Sequence, residues 1–389
     1  MSIRKDNKLS NEYDLFIPYG HQSIDEYDVA SVCSALRSDY LTTGPKVEEF
    51  EQAVSSYVGA KHGVAVSSGT AALHCSMYAL GIGSGDEVIV PPMTFAATAN
   101  CVCFMGATPI FADVDQDTLL IDPDQVEAKV TPKTKAIIGV DYAGQPCDWD
   151  RLRNIADKHG LALVADSCHA IGASYKGRKV GTLADMTIFS FHPVKHITTG
   201  EGGMIVMDNE DYAQKMRLFR NHGITSDARQ REKTGDWFYE MVDLGYNYRI
   251  TDIQCALGLS QLEKLPEWIK YRQEIAAEYS RFFANNHLAR PLESRQEANH
   301  AYHLYVVRVA NRDKVFLEMR NKGIGVNVHY VPVHLHPYYG KKFGYKKGLC
   351  PVAEDVYGEL ITLPLNQGMT QEDVKRVMDG IQPEKFSTY

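Results

Sequence analysis

Strand-like and helix-like segments alternate between Gly63 and Met207, and this alternation limits the folds open to the chain. Short apolar runs typical of buried strands are separated by longer stretches with helical periodicity. Parallel strands need crossover connections, which helices supply, so the pattern predicts a mainly parallel sheet with helices on both faces. The predicted strands are residues 63–66, 87–90, 109–112, 136–140, 161–165, 186–191 and 204–207.

The pattern changes near Arg249. Residues 250–284 have the periodicity of one or two long helices, which we expect to break at Pro266. Predicted strands (304–309 and 326–330) and helices (313–321 and 353–359) follow. Because 389 residues are too many for one ordinary core, we expect two domains. The predicted divisions are an N-terminal arm (1–14), a large α/β domain (15–255) and a smaller α+β C-terminal domain (256–389).

Composition excludes several classes of protein. A net charge of -8 argues against non-specific nucleic-acid binding, which needs a basic surface. No apolar run reaches the length of a membrane span, and the polar N-terminus lacks the apolar centre of a signal peptide. The eight cysteines show no Cys-x-x-Cys spacing, which favours reduced thiols over a disulfide framework. We expect a cytoplasmic protein that binds neither nucleic acid nor membrane.

A single lysine, Lys195, lies between an apolar run and a glycine-rich turn in the sequence FSFHPVKHITTGEGG (189–203). Burial of a lysine favours its neutral amine, which is the form that condenses with an aldehyde. The competing interpretation is an ordinary exposed lysine on a loop.

The turn at Ser67-Ser68-Gly69-Thr70 joins a predicted strand to a predicted helix. Backbone N–H groups and the helix dipole make such a junction a candidate anion site. Ordinary helix capping by Ser or Thr explains the residues equally simply. The turn lacks the Gly-Lys-Ser/Thr ending of a P-loop, and no Gly-x-Gly-x-x-Gly pattern supports a dinucleotide site.

Two further candidates lie at predicted strand ends, where ligands bind in open parallel sheets. Asp166 is either a helix cap or a carboxylate that holds a pyridine nitrogen protonated. Phe95 could stack on a flat ring, although a core position is the default. His169 could face the same ligand, although a lone histidine is more often a hydrogen-bonded core residue. Together with Lys195 and the anion turn, these residues match the needs of pyridoxal 5'-phosphate (PLP).

Over nearly its whole length the sequence resembles the DegT/StrS family of nucleotide-sugar aminotransferases, which have the PLP-dependent fold-type I architecture of aspartate aminotransferase. The motifs that carry the resemblance are SSGTAAL (67–73), PPMTFAATAN (91–100), ADSCHAIGA (165–173), FSFHPVKHITTGEGG (189–203), LGYNYRITDIQCALG (244–258) and VHYVPVHLHPYY (328–339).

The resemblance implies roles for individual residues. Lys195 matches the Schiff-base lysine, Asp166 the partner of the pyridine nitrogen and Phe95 the aromatic that stacks on the ring. His169 stands where many members have Gln. The residues that match phosphate ligands are Gly69, Thr70, Ser190 and, toward the cofactor of a neighbouring subunit, Asn247. The last match implies a homodimer with active sites at the subunit interface.

The same resemblance implies a substrate site at the sugar-nucleotide entrance. The residues expected to line it are Thr42, His329, Tyr330 and His334. The histidines at 329, 334 and 336 also suggest a metal, but without a partnering acid or cysteine cluster we expect no metal site.

Within the family, VDYAG (140–144), the FHPVK form of the lysine motif and AEDVYGELITLPL (353–365) are most similar to the 4-aminotransferase of pseudaminic-acid biosynthesis. The expected substrates are L-glutamate and a UDP-linked 4-keto-6-deoxy-N-acetylhexosamine. The alternatives are a UDP-4-keto-pentose aminotransferase of the lipid A modification type and a non-catalytic regulator that binds sugar nucleotide. A PLP-dependent sugar dehydratase is disfavoured because those relatives carry His at the position of Lys195.

Overall fold

The computed structural model describes residues 16–226, 229, 231, 235 and 237–382. The predicted arm, 1–14, lies outside the described residues. The helices are α1 (Glu26–Leu36), α2 (Pro45–Val58), α3 (Gly69–Ala79), α4 (Ala97–Phe104), α5 (Pro123–Ala128), α6 (Trp149–His159), α7 (Glu210–Phe219), α8 (Asp252–Asn286), α9 (Arg312–Asn321), α10 (Pro337–Phe343), α11 (Pro351–Tyr357) and α12 (Gln371–Gly380). The strands are β1 (His62–Val66), β2 (Glu87–Val90), β3 (Thr108–Phe111), β4 (Thr134–Val140), β5 (Ala162–Asp166), β6 (Ser174–Tyr175), β7 (Arg178–Lys179), β8 (Met186–Ser190), β9 (Gly203–Met207), β10 (Arg290–Pro291), β11 (Ala298–Asn299), β12 (Tyr305–Arg308) and β13 (Leu360–Leu363).

A seven-stranded sheet in the order β1-β9-β8-β5-β4-β2-β3 forms the centre of the protein. The pairs β2–β3, β2–β4, β4–β5 and β5–β8 are parallel, whereas β9 runs antiparallel to both β1 and β8. All seven predicted strands are therefore found in one mainly parallel sheet, as the alternation of apolar runs predicts. The antiparallel strand is β9 because the glycine-rich turn after Lys195 returns the chain directly beside β8.

The expected break at Pro266 is wrong, since α8 continues through the proline from Asp252 to Asn286. The helix begins with a capping box, in which the Thr251 side chain accepts from the Gln254 backbone N–H. Leu262, Leu265 and Ile269 lie on both sides of the proline and are buried in the core of the large sheet. This packing offsets the cost of the backbone hydrogen bond that a proline removes.

Helix α8 contributes to two separate hydrophobic cores. Its first half packs on the central sheet, and its second half contributes Ile275, Tyr279 and Phe283 to a smaller core. That second core also covers the antiparallel sheet β10-β12-β13. The long helix therefore connects two packed layers, and the predicted division at residue 255 falls within its first turn.

The predicted strand over residues 326–330 does not form. Only Asn327 pairs with the edge of β13, through Thr362. Pro332 follows shortly afterwards and cannot donate a hydrogen bond to a ladder. The segment instead runs toward the end of the central sheet. Among the helices of the described ranges, none is long and apolar enough to cross a membrane.

Candidate active site

The carboxyl ends of β5 and β8 lie side by side and carry Asp166 and Ser190. Asp166 is buried, and its Oδ2 accepts a hydrogen bond from Thr98 Oγ1 at 2.7 Å. Thr94 Oγ1 lies 2.7 Å from Thr98 Oγ1, and because the Thr98 proton is directed to the carboxylate, Thr94 donates to Thr98. A chain of two hydroxyls, Thr94 just before α4 and Thr98 in its first turn, thus holds the carboxylate. Neither threonine was predicted as a site residue, because a threonine in this segment has no distinctive sequence signal.

Lys195 lies in the turn between β8 and β9 and is partly buried. Its Nζ lies 3.4 Å from His303 Nε2. Loss of hydration lowers the pKa of the Lys195 amine, while Cys168 and Asp166 act in the opposite direction. The environment therefore favours the neutral, nucleophilic amine more than water does.

Three buried histidines surround the lysine: His169, His196 and His303. The ring centroids of His169 and His303 are 4.4 Å apart, and those of His196 and His303 are 5.6 Å apart. Burial is the largest cause that holds the pKa of each imidazole well below its usual range. All three are therefore neutral near pH 7. His303 was not predicted as a site residue, because only long-range packing brings it beside Lys195. His196, the neighbour of Lys195 in the sequence, was not predicted either.

Three predicted site residues, Phe95, His169 and Tyr330, lie together. His169 Nε2 is 3.2 Å from the Tyr330 hydroxyl, and the Phe95 and Tyr330 ring centroids are 6.2 Å apart. Phe95 is 62% exposed, which is unusual for a phenylalanine and leaves its ring open to a ligand.

The predicted anion turn lies beside the same sheet edge. Ser68 caps α3 by accepting from the Ala71 N–H at 3.1 Å, so the capping interpretation of this turn is also correct. A Cβ on Gly69 would lie 3.1 Å from the Ser190 Cβ, so the start of α3 and the end of β8 are in contact. N–H groups in the first helical turn have no partner within the helix. Together with the hydroxyls of Thr70 and Ser190, they suit a phosphate.

The remaining predicted residues lie elsewhere. Thr42 and Asn247 have exposed side chains, and their backbones bridge to Thr251 and Asn221.

The structure does not bring the histidine side chains of the 329–334 segment to the surface of the site. His329 is buried, with Nδ1 2.8 Å from Thr362 Oγ1. His334 is fully buried, and its Nε2 lies 2.7 Å from Glu354 Oε1. Glu354 is the partnering acid that the sequence pattern did not reveal. Over the described part of the chain, no group of three His, Cys, Asp or Glu side chains is placed to hold a metal ion.

The arrangement fits PLP on structural grounds. A partly buried amine, a buried carboxylate and an exposed aromatic ring surround one sheet edge, and a helix N-terminus with two hydroxyls is adjacent. The buried Nδ1 atoms of His169 and His303 have no hydrogen-bond partner within the described residues. These are the groups that a planar, phosphorylated aldehyde needs around it.

Comparisons with known proteins agree with this geometry. Residues 22–382 match the model of the DegT/DnrJ/EryC1/StrS aminotransferase family. The spore coat polysaccharide biosynthesis protein SpsC of Bacillus subtilis is 42% identical over 376 residues, which is 94% of this chain and 96% of that protein.

Two solved structures are similar over the same length. Spr1654 of Streptococcus pneumoniae, proposed to be a sugar aminotransferase and solved in its PMP form, superposes with a TM-score of 0.90 at 35% identity, covering 94% of this chain and 98% of that one. Helicobacter pylori PseC, an aminotransferase involved in the biosynthesis of pseudoaminic acid, gives 0.88 at 33% identity, with 94% and 98% covered. The fold-type I α/β architecture expected from the resemblance is confirmed. The chain belongs to the DegT/DnrJ/EryC1/StrS aminotransferase family and is a PLP-dependent sugar aminotransferase.

Proposed function

We propose that the enzyme moves an amino group from L-glutamate to C4 of a UDP-linked 4-keto-6-deoxy-N-acetylhexosamine, in a pathway of the pseudaminic-acid type. The observation that supports this substrate most directly is the likeness to H. pylori PseC over 94% of the chain. A UDP-4-keto-pentose is the alternative acceptor. A regulator that only binds sugar nucleotide is disfavoured, because such a protein has no need of a neutral lysine beside a buried carboxylate.

PLP supplies an aldehyde that carries the amino group and a ring that takes up electrons when its nitrogen is protonated. We propose that Asp166 keeps that nitrogen protonated and that Thr98 fixes the orientation of the carboxylate. Phe95 would cover one face of the ring, and His169 would pack against the ring from the Tyr330 side.

Lys195 is proposed to be the catalytic residue. Its amine, favoured in the neutral form by burial, would hold the aldehyde of the cofactor. As a free amine, Lys195 would also be the base that takes up and returns the proton of the amino-acid carbon. We place the phosphate of the cofactor at Gly69, Thr70 and Ser190. The start of α3 contacts the end of β8 there, and its N–H groups and helix dipole favour an anion.

We propose that the enzyme works as a homodimer. Large apolar side chains of the described residues between 237 and 246 are exposed, which is uncommon on a monomer surface. They are Trp237 (83%), Phe238 (54%), Tyr239 (52%), Met241 (65%), Val242 (57%), Leu244 (69%) and Tyr246 (40%). Asn247 follows directly and is exposed, and we propose that it reaches the phosphate site of a partner subunit that covers this patch.

The substrate would enter past Tyr330, with Thr42 on the exposed rim. His329 would support this entrance from within the protein by fixing the Tyr330 segment through Thr362, whereas His334 is not part of the proposed substrate site. We also propose two domains divided at residues 255 and 256. The two cores support a division within α8, whose residues up to Ile269 pack in the larger core and whose residues from Ile275 pack in the smaller one. The eight free cysteines support a cytoplasmic location.

An absorbance titration tests the proposal. Adding PLP to the purified protein should produce a visible band, and L-glutamate should bleach it. Each UDP-linked 4-keto sugar is then added in turn. Return of the band with the 4-keto-6-deoxy-N-acetylhexosamine supports the proposed substrate, whereas return only with the 4-keto-pentose supports the alternative. No band at all would contradict the role of Lys195.

A further inference from the structure

The backbone around His303 is held on two sides. The Ala301 N–H donates to the Gly144 carbonyl at 2.9 Å, and the Leu304 N–H donates to the Ala143 carbonyl at 3.1 Å. From the other side, Arg272 Nη1 donates to the carbonyls of residues 302 and 303 at 3.1 and 3.5 Å. Arg272 is itself fully buried within α8. The segment that carries His303 is therefore anchored to both the large sheet and the long helix.

The imidazole of His303 has one polar contact among the described residues. Its Nε2 lies 3.4 Å from Lys195 Nζ, and its buried Nδ1 has no hydrogen-bond partner. The residue is 5% exposed, so bulk water does not satisfy the ring freely. Buried polar groups are normally hydrogen-bonded. In His303 the Nδ1 is unpaired within the part of the chain that the structure describes and the Nε2 faces a lysine amine, and this combination needs a physical reason.

We propose that His303 is a positioning residue for Lys195, whose imidazole Nε2 accepts a hydrogen bond from the lysine amine whenever that amine is free. While the amine is free, a fixed acceptor would limit the positions that Nζ samples. The inference rests on the role proposed for Lys195 and adds to it a residue from the C-terminal part of the chain.

The charges around His303 favour an acceptor rather than a second cation. The groups that face it are Lys195, His169, His196 and Arg272, which come from three different parts of the fold. None of these is acidic, so protonation of His303 beside Lys195 and Arg272 is unfavourable. A neutral imidazole accepts from an ammonium N–H more strongly than from a neutral amine N–H. An acceptor at 3.4 Å from Nζ would therefore offset part of the lowering of the lysine pKa that burial causes, in the same direction as Cys168 and Asp166.

The test uses the enzyme loaded with pyridoxamine 5'-phosphate, in which Lys195 is a free amine. Trace labelling with acetic anhydride across a pH series, followed by mass spectrometry of the peptide that contains Lys195, gives the midpoint at which the amine becomes reactive. His303→Leu removes the acceptor, and we expect the midpoint to fall by about one pH unit. His303→Gln, with an amide near the position of Nε2, should restore the wild-type midpoint.

Two controls separate this effect from damage to the loop. His300→Gln changes a histidine of the same segment that stacks on Tyr302, and it should leave the midpoint unchanged. If His303→Leu does not fold, His303→Asn replaces it, because its shorter amide stays polar but does not reach Nζ. Circular dichroism and retained cofactor absorbance establish that each variant is folded.

An unchanged midpoint in folded His303→Leu or His303→Asn overturns the inference, as does an equal shift in His303→Gln or His300→Gln. Failure of the proposed function has a different signature. In that case PLP produces no visible band with the wild-type protein, and the Lys195 midpoint is that of an exposed lysine in every variant.

Discussion

Thr98 Oγ1 donates a hydrogen bond of 2.7 Å to Asp166 Oδ2, which ties the first turn of α4 to the end of β5. Both residues are buried, so the carboxylate has little water to replace this donor. The contact joins Thr98, which no sequence pattern identifies, to Asp166, which was predicted from the sequence as a site residue.

Replacing Thr98 with Val tests this contact. The variant leaves a buried carboxylate oxygen without its donor, which costs about 1–3 kcal/mol. We expect weaker PLP binding and a kcat about 10-fold lower, measured by fluorescence titration and steady-state kinetics. Thr98→Ser is the matched control, because it keeps the hydroxyl and should retain most of the activity. A loss in Thr98→Ser as large as that in Thr98→Val would show that packing at this position, and not the hydrogen bond, is responsible.

Replacing Lys195 with Ala should separate cofactor binding from catalysis. The phosphate cradle at the start of α3 is untouched, so PLP still binds, but turnover should fall by about a thousandfold or more because the base is gone. Lys346→Ala, at an exposed position, serves as the control. Single-turnover absorbance with L-glutamate checks the prediction, and a comparable rate in Lys195→Ala would show that another residue carries the proton.

Acidification should destabilise the enzyme through its buried histidines. The pKa of His169 is well below its usual value in the folded protein, so below about pH 6.5 the unfolded chain binds a proton that the native state does not. The free energy of unfolding therefore falls by about 1.4 kcal/mol per pH unit for this residue, until the folded pKa is reached. Asp141 acts oppositely, because burial raises its pKa to about 7 and the native state gains a proton as pH falls.

A single variant isolates the contribution of one histidine. In His169→Gln the free energy of unfolding should fall less between about pH 7.5 and about pH 5.5 than in the wild type. The difference is the contribution of one titrating histidine. Gln is polar and similar to His in length, so we expect the variant to fold and to bind PLP. Urea unfolding at each pH measures the effect, with His21→Gln as an exposed control. A wild-type pH dependence in His169→Gln would show that this ring takes up its proton equally in the native and unfolded states.

The buried pair of His334 and Glu354 should matter for stability and not for substrate binding. Glu354 also accepts from the backbone N–H groups of Gly348 and Cys350, at 2.7 and 3.2 Å. Glu354→Ala removes all of these contacts and should lower the free energy of unfolding by about 3 kcal/mol. Denaturation measures that loss. The KM for the sugar nucleotide should remain within twofold or so of wild type, whereas a selective rise in KM would return His334 to the substrate site.

Some secondary-structure elements could be predicted from the sequence alone. The apolar runs at 87–90 and 186–191 are confirmed as β2 and β8, because a strand buried on both faces must be apolar at nearly every position. A prediction from a single residue type was wrong where tertiary packing opposed it. Pro266 predicts a break in an isolated helix, yet α8 continues because its neighbours are buried on both sides of the proline.

The site also contains residues that could be predicted from the sequence and residues that could not. Asp166 and Lys195 could be assigned to one end of the sheet from the sequence, since the carboxyl ends of parallel strands meet there. The role of Ser190 was implied only by the family resemblance. Thr98 and His303 could not be predicted, because a buried hydroxyl and a buried imidazole become significant only through the partner each one meets.

The sequence by itself determined the α/β class, the order of strands and helices along the chain, and the chemistry at strand ends, because periodicity and turn residues act over a few positions. Only the tertiary structure decided that His303, more than a hundred residues from Lys195, lies 3.4 Å from its amine. It also decided that His334 pairs with Glu354 inside the protein rather than facing a substrate. These outcomes depend on which surfaces bury the most apolar area together, and no local pattern of residues encodes that choice.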